Sequence, residues 1–177
     1  MRYDVRRITA LSLLTSCGLG LFALEMLIPP FPLCPAAKAG LANTVSLFML
    51  CFPAIFNCTD LISVLLIRCL LSGFITGNLQ AVLFSLCGGA SALVVMLVCR
   101  KYISDRPPVM SVCGAVFHNM AQIAVSVFFY GIYSTAYTIP VMFLAGILSG
   151  ALTGSCTFLM VSNKAVSGFM NNYFRKQ

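Results

Sequence analysis

Residues 109–130 read VMSVCGAVFHNMAQIAVSVFFY, an apolar run long enough to cross a lipid bilayer, which takes about 20 residues. Three large polar residues, His118, Asn119 and Gln122, lie near its middle. Polar side chains at that depth are costly unless they face other helices or a water-filled cavity. The stretch therefore predicts a transmembrane helix that turns one face into the protein.

The composition of the whole chain agrees with this prediction. Of the 177 residues, 60% are hydrophobic and only 8% are charged, which is too little charge for the surface of a soluble domain. We predict an all-α integral membrane protein with a single domain, residues 1–177, built as a compact bundle of six transmembrane helices. The predicted spans are residues 8–28, 39–56, 60–77, 79–99, 109–130 and 139–161.

The basic residues divide in the way that six spans require. Nine of the eleven Lys and Arg residues fall on one side of the membrane, whereas Lys38 lies on the other side and Arg68 lies within a span. The positive-inside rule then predicts cytoplasmic termini and an external 29–38 connection. Topology accounts for the net charge of +7, so this charge does not indicate nucleic-acid binding. The nine residues are Arg2, Arg6, Arg7, Arg100, Lys101, Arg106, Lys164, Arg175 and Lys176.

The polar residues of the fifth span form one stripe. At about 100° per residue, Gln122 lies about 40° and Asn119 about 100° from His118. The third span has a comparable face, where Ser72 lies about 40° from Arg68.

No acidic residue lies at the depth of Arg68 in the second, fourth, fifth or sixth span. Glu25, near the outer end of the first span, is the only other acidic candidate, and Asp60 is two turns away toward the cytoplasmic end. Arg68 is therefore expected to face a partner or a wet cavity.

Lys38 and Asn43 lie at the outer end of the second span, so the large polar residues gather toward the outer half of the bundle. This distribution is typical of a solute cavity that opens to the outside. The alternative is that these side chains only join helices through hydrogen bonds, at about 0.6 kcal/mol each. For His118 both interpretations stay open.

Two spans carry small residues at four-residue spacing, a pattern that lets helix backbones approach closely in lipid. In the sixth span we expect this strip to pack inside the bundle. In the first span, internal packing and docking on another protein are both open. The strips are Gly146, Gly150 and Gly154 in the sixth span, and Ser12, Ser16 and Gly20 in the first.

The nine cysteines are scattered without a C-x-x-C pair, and the chain has one histidine. This spacing does not match a metal site. We therefore expect no metal and no cofactor, and we interpret the cysteines as small apolar residues of the helices.

Four stretches carry a resemblance to a known family. They are KAGLANTV (38–45), Arg68 followed by Leu70 and Leu71, SLCGG (85–89) and GAVFHNMAQ (114–122). In this order they resemble the Gx transporter family, often described as heptaprenyl diphosphate synthase component I. That family is similar to the substrate-binding (S) subunits of energy-coupling factor (ECF) importers. The chain departs from the family pattern at Ala39, where leucine is common.

The resemblance implies an S subunit in the bacterial cytoplasmic membrane. Such a subunit would capture a small, anionic, partly apolar molecule, comparable to a vitamin or cofactor precursor, from outside. The strip on the first span would dock on an ECF coupling transmembrane subunit, which works with two cytoplasmic ATPases. This chain has no P-loop, so ATP hydrolysis would belong to those partners. The expected ligand-binding residues are Lys38, Asn43, Arg68, Ser72, His118, Asn119 and Gln122.

The family's description names a synthase, and the residues that such an enzyme needs can be compared with this sequence. Prenyl diphosphate synthases need clustered aspartates to hold Mg²⁺, whereas Asp4, Asp60 and Asp105 each stand alone. We therefore expect that the chain is not an enzyme. Two alternatives to the importer remain. One is a fixed membrane subunit of a flavin- or quinone-linked extracellular electron-transfer system, and the other is an accessory protein in isoprenoid or quinone metabolism.

Overall fold

The computed structural model describes residues 5–27, 40–41 and 43–174, and this part of the chain is almost entirely helical. Five helices are long and apolar enough to cross a membrane, and large apolar side chains such as Phe74 and Phe128 are exposed on them. The protein is therefore a multi-pass membrane protein. The helices are α1 (Val5–Leu27), α2 (Asn43–Leu50), α3 (Cys58–Thr76), α4 (Leu79–Tyr102), α5 (Pro107–Tyr130), α6 (Ile132–Thr135), a 3₁₀ turn (Ala136–Thr138), α7 (Ile139–Ser162) and α8 (Lys164–Phe174).

Local sequence signals set the ends of the long helices. The backbone N–H of Asn57 donates to the Asp60 carboxylate at 2.9 Å, which closes the first turn of α3. That helix ends at Gly77, whose φ of 62° suits glycine. The side-chain oxygen of Asn78 caps the start of α4. Pro107 opens α5, where a missing N–H costs nothing.

The predicted second span is wrong as a continuous helix. In the described part of residues 39–56, the only helix is the eight-residue α2, which is about 12 Å long and too short for a hydrocarbon core of about 30 Å. All six residues 45–50 are buried, so protein rather than lipid surrounds this segment. A buried backbone can leave the helical path where its polar groups find partners, and the N–H groups of Ile55 and Phe56 donate to the Phe52 carbonyl.

The chain nevertheless returns across the bundle between α1 and α3. Arg7, near the start of α1, forms an ion pair with Asp60 in the first turn of α3, and its Nε also donates to Asp60 at 3.3 Å. The N-terminal ends of these two helices therefore lie together. Gly40 contacts Glu25 near the other end of α1, so Gly40 and Asn57, which precedes α3, lie near opposite ends of that helix, which is about 35 Å long. Helices α1 and α3 therefore run in the same direction.

The glycine strip of α7 packs against α5, as predicted. A Cβ added at Gly150 would lie 2.7 Å from the Cα of Val112, and one added at Gly154 would lie 2.6 Å from the Cα of Pro108. Only glycine permits this approach, so the strip joins α5 and α7 by backbone contact.

The small-residue strip of α1 is on the surface. Ser12, Ser16 and Gly20 are all exposed, and a Cβ added at Gly20 would meet nothing within 4 Å. A shallow groove of about 490 Å³ lies between α1 and α3, and Ser12 and Ser16 contribute to its lining. No internal packing within the described part of the chain accounts for this strip.

Candidate ligand cavity

A small polar cavity lies where α1, α2, α3, α4 and α5 meet, with a volume of about 40 Å³. Its wall is much more polar than the neighbouring core, which is built from leucine, methionine, valine and phenylalanine. The lining residues are Phe22, Glu25, Gly40, Asn43, Arg68, Cys69, Ser72, Ser85, His118 and Gln122.

A continuous chain of hydrogen bonds connects three helices around the cavity. Arg68 Nη2 on α3 donates to Asn43 Oδ1 at the start of α2, at 3.3 Å. Asn43 Nδ2 is 3.0 Å from His118 Nδ1 on α5, and His118 Nε2 is 3.0 Å from the Gln122 carboxamide one turn along. Residues that are far apart in sequence therefore form one polar network.

Two polar atoms of this network are buried without a hydrogen-bond partner in the described part of the chain, Arg68 Nη1 and the outer carboxamide atom of Gln122. The two side chains are only 6% and 5% exposed. Asp60, the nearest acid along α3, forms its ion pair with Arg7 and so does not neutralise Arg68. Leaving a buried polar group unpaired costs about 1–3 kcal/mol, and more for a charged group. The cavity thus has unused binding capacity.

Two glycines make room for side chains of this network, and the sequence alone did not assign them to the site. A Cβ at Gly18 on α1 would lie 3.1 Å from Arg68 Cδ, and one at Gly88 on α4 would lie 2.7 Å from His118 Cε1. A Cβ at the neighbouring Gly89 would instead meet Leu65 Cδ1 at 2.5 Å. Glycine inside an apolar helix signals close packing, but it does not reveal which side chain fills the space.

Glu25, the acidic candidate partner of Arg68 near the outer end of the first span, also lines the cavity. It is buried, and its Oε1 accepts a hydrogen bond from the backbone N–H of Gly40. Within the described residues no ion pair joins Glu25 to Arg68. Glu25 therefore anchors the backbone that enters α2.

Five of the predicted ligand-binding residues converge on the cavity: Asn43, Arg68, Ser72, His118 and Gln122. Lys38 lies outside the described residues.

Asn119 is buried, as the stripe predicted, but the structure does not bring it to the cavity. Its Nδ2 donates to the Met142 carbonyl of α7 at 2.7 Å. The physical reason is its angle of about 100° from His118, which turns it toward α7. In the structure Asn119 joins two helices.

The comparisons with known proteins add one finding. Neither the curated proteins nor the solved structures include a match to this chain. The family model described as heptaprenyl diphosphate synthase component I matches residues 14–160, a range that includes the whole α2–α5 wall of the cavity. The chain therefore belongs to the heptaprenyl diphosphate synthase component I family.

Proposed function

We propose that this protein is the membrane-embedded S subunit of an ECF-type importer, capturing a small, anionic, partly apolar molecule from outside the cell. The observation that carries the proposal is the buried Arg68, whose Nη1 has no partner in the described chain. A cation held in this way is poised for an acidic group, because charge-assisted hydrogen bonds are about twice as strong as neutral ones.

The size of the cavity defines what it recognises. A volume of about 40 Å³ holds one small polar group, whereas sites for whole vitamin-sized molecules measure about 300–1,000 Å³. The cavity would hold the acidic group, with Phe22 and Cys69 supplying apolar wall beside it. Capture of the whole molecule requires that the surrounding helices separate.

The exposed strip on α1 supports a partner in the membrane. Ser12, Ser16 and Gly20 leave a flat face on which another helix can approach closely. In this proposal that helix belongs to the ECF coupling subunit, and two cytoplasmic ATPases supply the energy. The basic residues Arg100, Lys101 and Arg106 lie at the same end of the bundle as the start of α1, and this end would be cytoplasmic.

A second candidate follows from the family's description as one component of a synthase. In that case the chain would be an accessory membrane protein in isoprenoid or quinone metabolism, or a fixed subunit beside a redox partner. We propose that the chain does not carry the synthase reaction itself, since Asp60 is held by Arg7 and the sequence has no aspartate-rich motif. Co-purification with ATPases favours the importer, and co-purification with a synthase or a flavoprotein favours the alternatives.

The proposal is tested by identifying and then weakening the ligand. Native mass spectrometry of the protein purified in mild detergent would reveal a retained small molecule, and calorimetry would give its affinity. Arg68→Ala is expected to weaken binding by about 2–4 kcal/mol, because the anion is left desolvated without its partner. Arg106→Ala, in the connection before α5, serves as the control and should bind normally.

An opposite result would identify the network as structural. This holds if Arg68→Ala unfolds the protein while the retained molecule is neutral and insensitive to Gln122→Ala. The polar residues would then serve only to join the helices.

A further inference from the structure

The hydrogen-bond chain around the cavity determines where its protons lie. Arginine can only donate, so the Asn43 atom that faces Arg68 must be the oxygen, as the 3.3 Å contact has it. The other end of that carboxamide is then an NH₂ group, and it donates to His118 Nδ1 at 3.0 Å. His118 Nδ1 must therefore carry a lone pair and no proton.

This requirement fixes the tautomer of His118 and the orientation of Gln122. A neutral imidazole has one N–H, which must lie on Nε2 and point at the Gln122 carboxamide, 3.0 Å away. If Gln122 presented its NH₂ group to His118 Nε2–H, two hydrogen-bond donors would face each other. The nitrogen and oxygen of a carboxamide are assigned from the hydrogen bonds that they make, so Gln122 presents its oxygen to His118. Its NH₂ group then occupies the buried position at which a carboxamide oxygen would meet no donor.

The two groups that this network leaves free for a ligand, Arg68 Nη1 and the outward Gln122 NH₂ group, are consequently both donors. We propose that these two donors bind the carboxylate of the ligand, with Asn43 and His118 acting as positioning residues that lock Gln122 in the donating orientation. The inference rests on the proposed function, in that it takes the cavity to be a ligand site. A carboxylate matches because its two oxygens only accept, and it is small enough for about 40 Å³.

The same argument favours an acceptor-only group over a neutral amide edge at this position. A neutral amide edge needs an acceptor beside these donors, and the Gln122 oxygen is committed to His118. Glu25 also lines the cavity, where its Oε1 receives the Gly40 N–H. The network selects an acceptor-only group.

The first test measures the tautomer directly. The chain has a single histidine, so ¹⁵N-histidine labelling of the full protein in nanodiscs gives one imidazole spectrum. The expected nitrogen shifts are those of the Nε2–H tautomer, with Nδ1 unprotonated. An Nδ1–H tautomer or an imidazolium at neutral pH would overturn the assignment, and with it the donating orientation of Gln122.

The second test uses benzoate as the probe and benzamide as its neutral counterpart, with thermal unfolding and calorimetry as readouts at pH 8. Benzoate should bind the wild-type protein, and benzamide should bind at least tenfold more weakly. Gln122→Glu still accepts from His118 but replaces the NH₂ donor by an oxygen. It should weaken benzoate binding by tenfold or more, and by more than Gln122→Ala does, while the tautomer stays Nε2–H. Equal binding of benzoate and benzamide, no binding of benzoate, or an unchanged affinity in Gln122→Glu would each overturn the proposal.

The outcomes separate this inference from the importer proposal. Arg68-dependent uptake in cells together with an Nδ1–H tautomer would leave the importer in place and remove the two-donor site. If the protein shows the expected tautomer and binds benzoate but supports no uptake, the two-donor site would stand and the importer proposal would be wrong.

Discussion

The small-residue strips of α1 and α7 share one sequence pattern but have opposite environments. On α7, a Cβ at Gly150 or Gly154 would lie within 2.7 Å of an α5 backbone atom. On α1, a Cβ at Gly20 would meet nothing within 4 Å, and Ser12 and Ser16 are exposed. The spacing therefore specifies that a helix can be approached closely, but it does not specify whether the approaching helix belongs to the same chain. An exposed strip of this kind is a surface available to a partner.

The largest expected effect comes from adding bulk to the packed strip. Gly150→Leu should destabilise the protein by about 3 kcal/mol or more, because the new side chain must push the α5 backbone away. The matched variant Gly20→Leu should change stability by no more than about 0.5 kcal/mol, as expected for an open surface position. Thermal unfolding of the two purified variants in the same detergent measures the difference.

Similar losses in both variants would break the comparison, since α1 would then need its strip for internal packing. A stable Gly150→Leu protein would mean that α5 and α7 separate easily, against their backbone contact.

The next effect separates function from folding on α1. Ser16→Leu should abolish uptake in cells while leaving unfolding temperature and ligand affinity unchanged, because Ser16 is exposed and does not line the cavity. Cys17→Leu is the control, since Cys17 is also exposed but points about 100° away around the helix. Uptake by the Cys17→Leu protein should remain normal.

Loss of folding or of ligand binding in Ser16→Leu would show that the strip supports the bundle itself. Equal loss of uptake in both variants would show that the whole surface of α1 tolerates no bulk, and the strip would lose its special role.

The smallest expected effect is at Gly18, which lies on the buried side of α1. A Cβ there would lie 3.1 Å from Arg68 Cδ, and the flexible arginine chain can shift by a few tenths of an ångström. Gly18→Ala should therefore cost little stability but weaken ligand binding by roughly 1 kcal/mol, or about fivefold, through displacement of the guanidinium. Calorimetry against Gly20→Ala measures it, and equal affinities in the two variants would contradict the close packing of Gly18 on Arg68.

Those parts of the fold that face lipid were predictable from the sequence. The third to fifth spans and the last long helix begin and end within three residues of their predicted limits, because hydrophobic length and capping residues act locally. The prediction of the second span was wrong because an apolar run has the same sequence pattern whether lipid or protein surrounds it. Residues 45–50 are surrounded by protein.

The candidate site was predictable in part for a similar reason. Helical angles placed His118 and Gln122 on an inward face, and the cost of a buried charge identified Arg68. Which inward neighbour each residue meets depends on how the helices pack, so the angle could not separate Asn119, which binds α7, from the cavity group. The contact of Glu25 with Gly40 depends on the same packing.

The short helix α2 has a consequence for how the protein is made. Eight helical residues followed by an irregular turn leave backbone groups that lipid cannot satisfy, so this segment cannot settle in the bilayer by itself as the long helices can. We expect this segment to insert only after α3, α4 and α5 have been synthesised and can surround it, even though it precedes them in the chain. Asn43 enters with this segment, so the polar network can close only after α2 has packed, and an incompletely assembled bundle would lack the complete cavity.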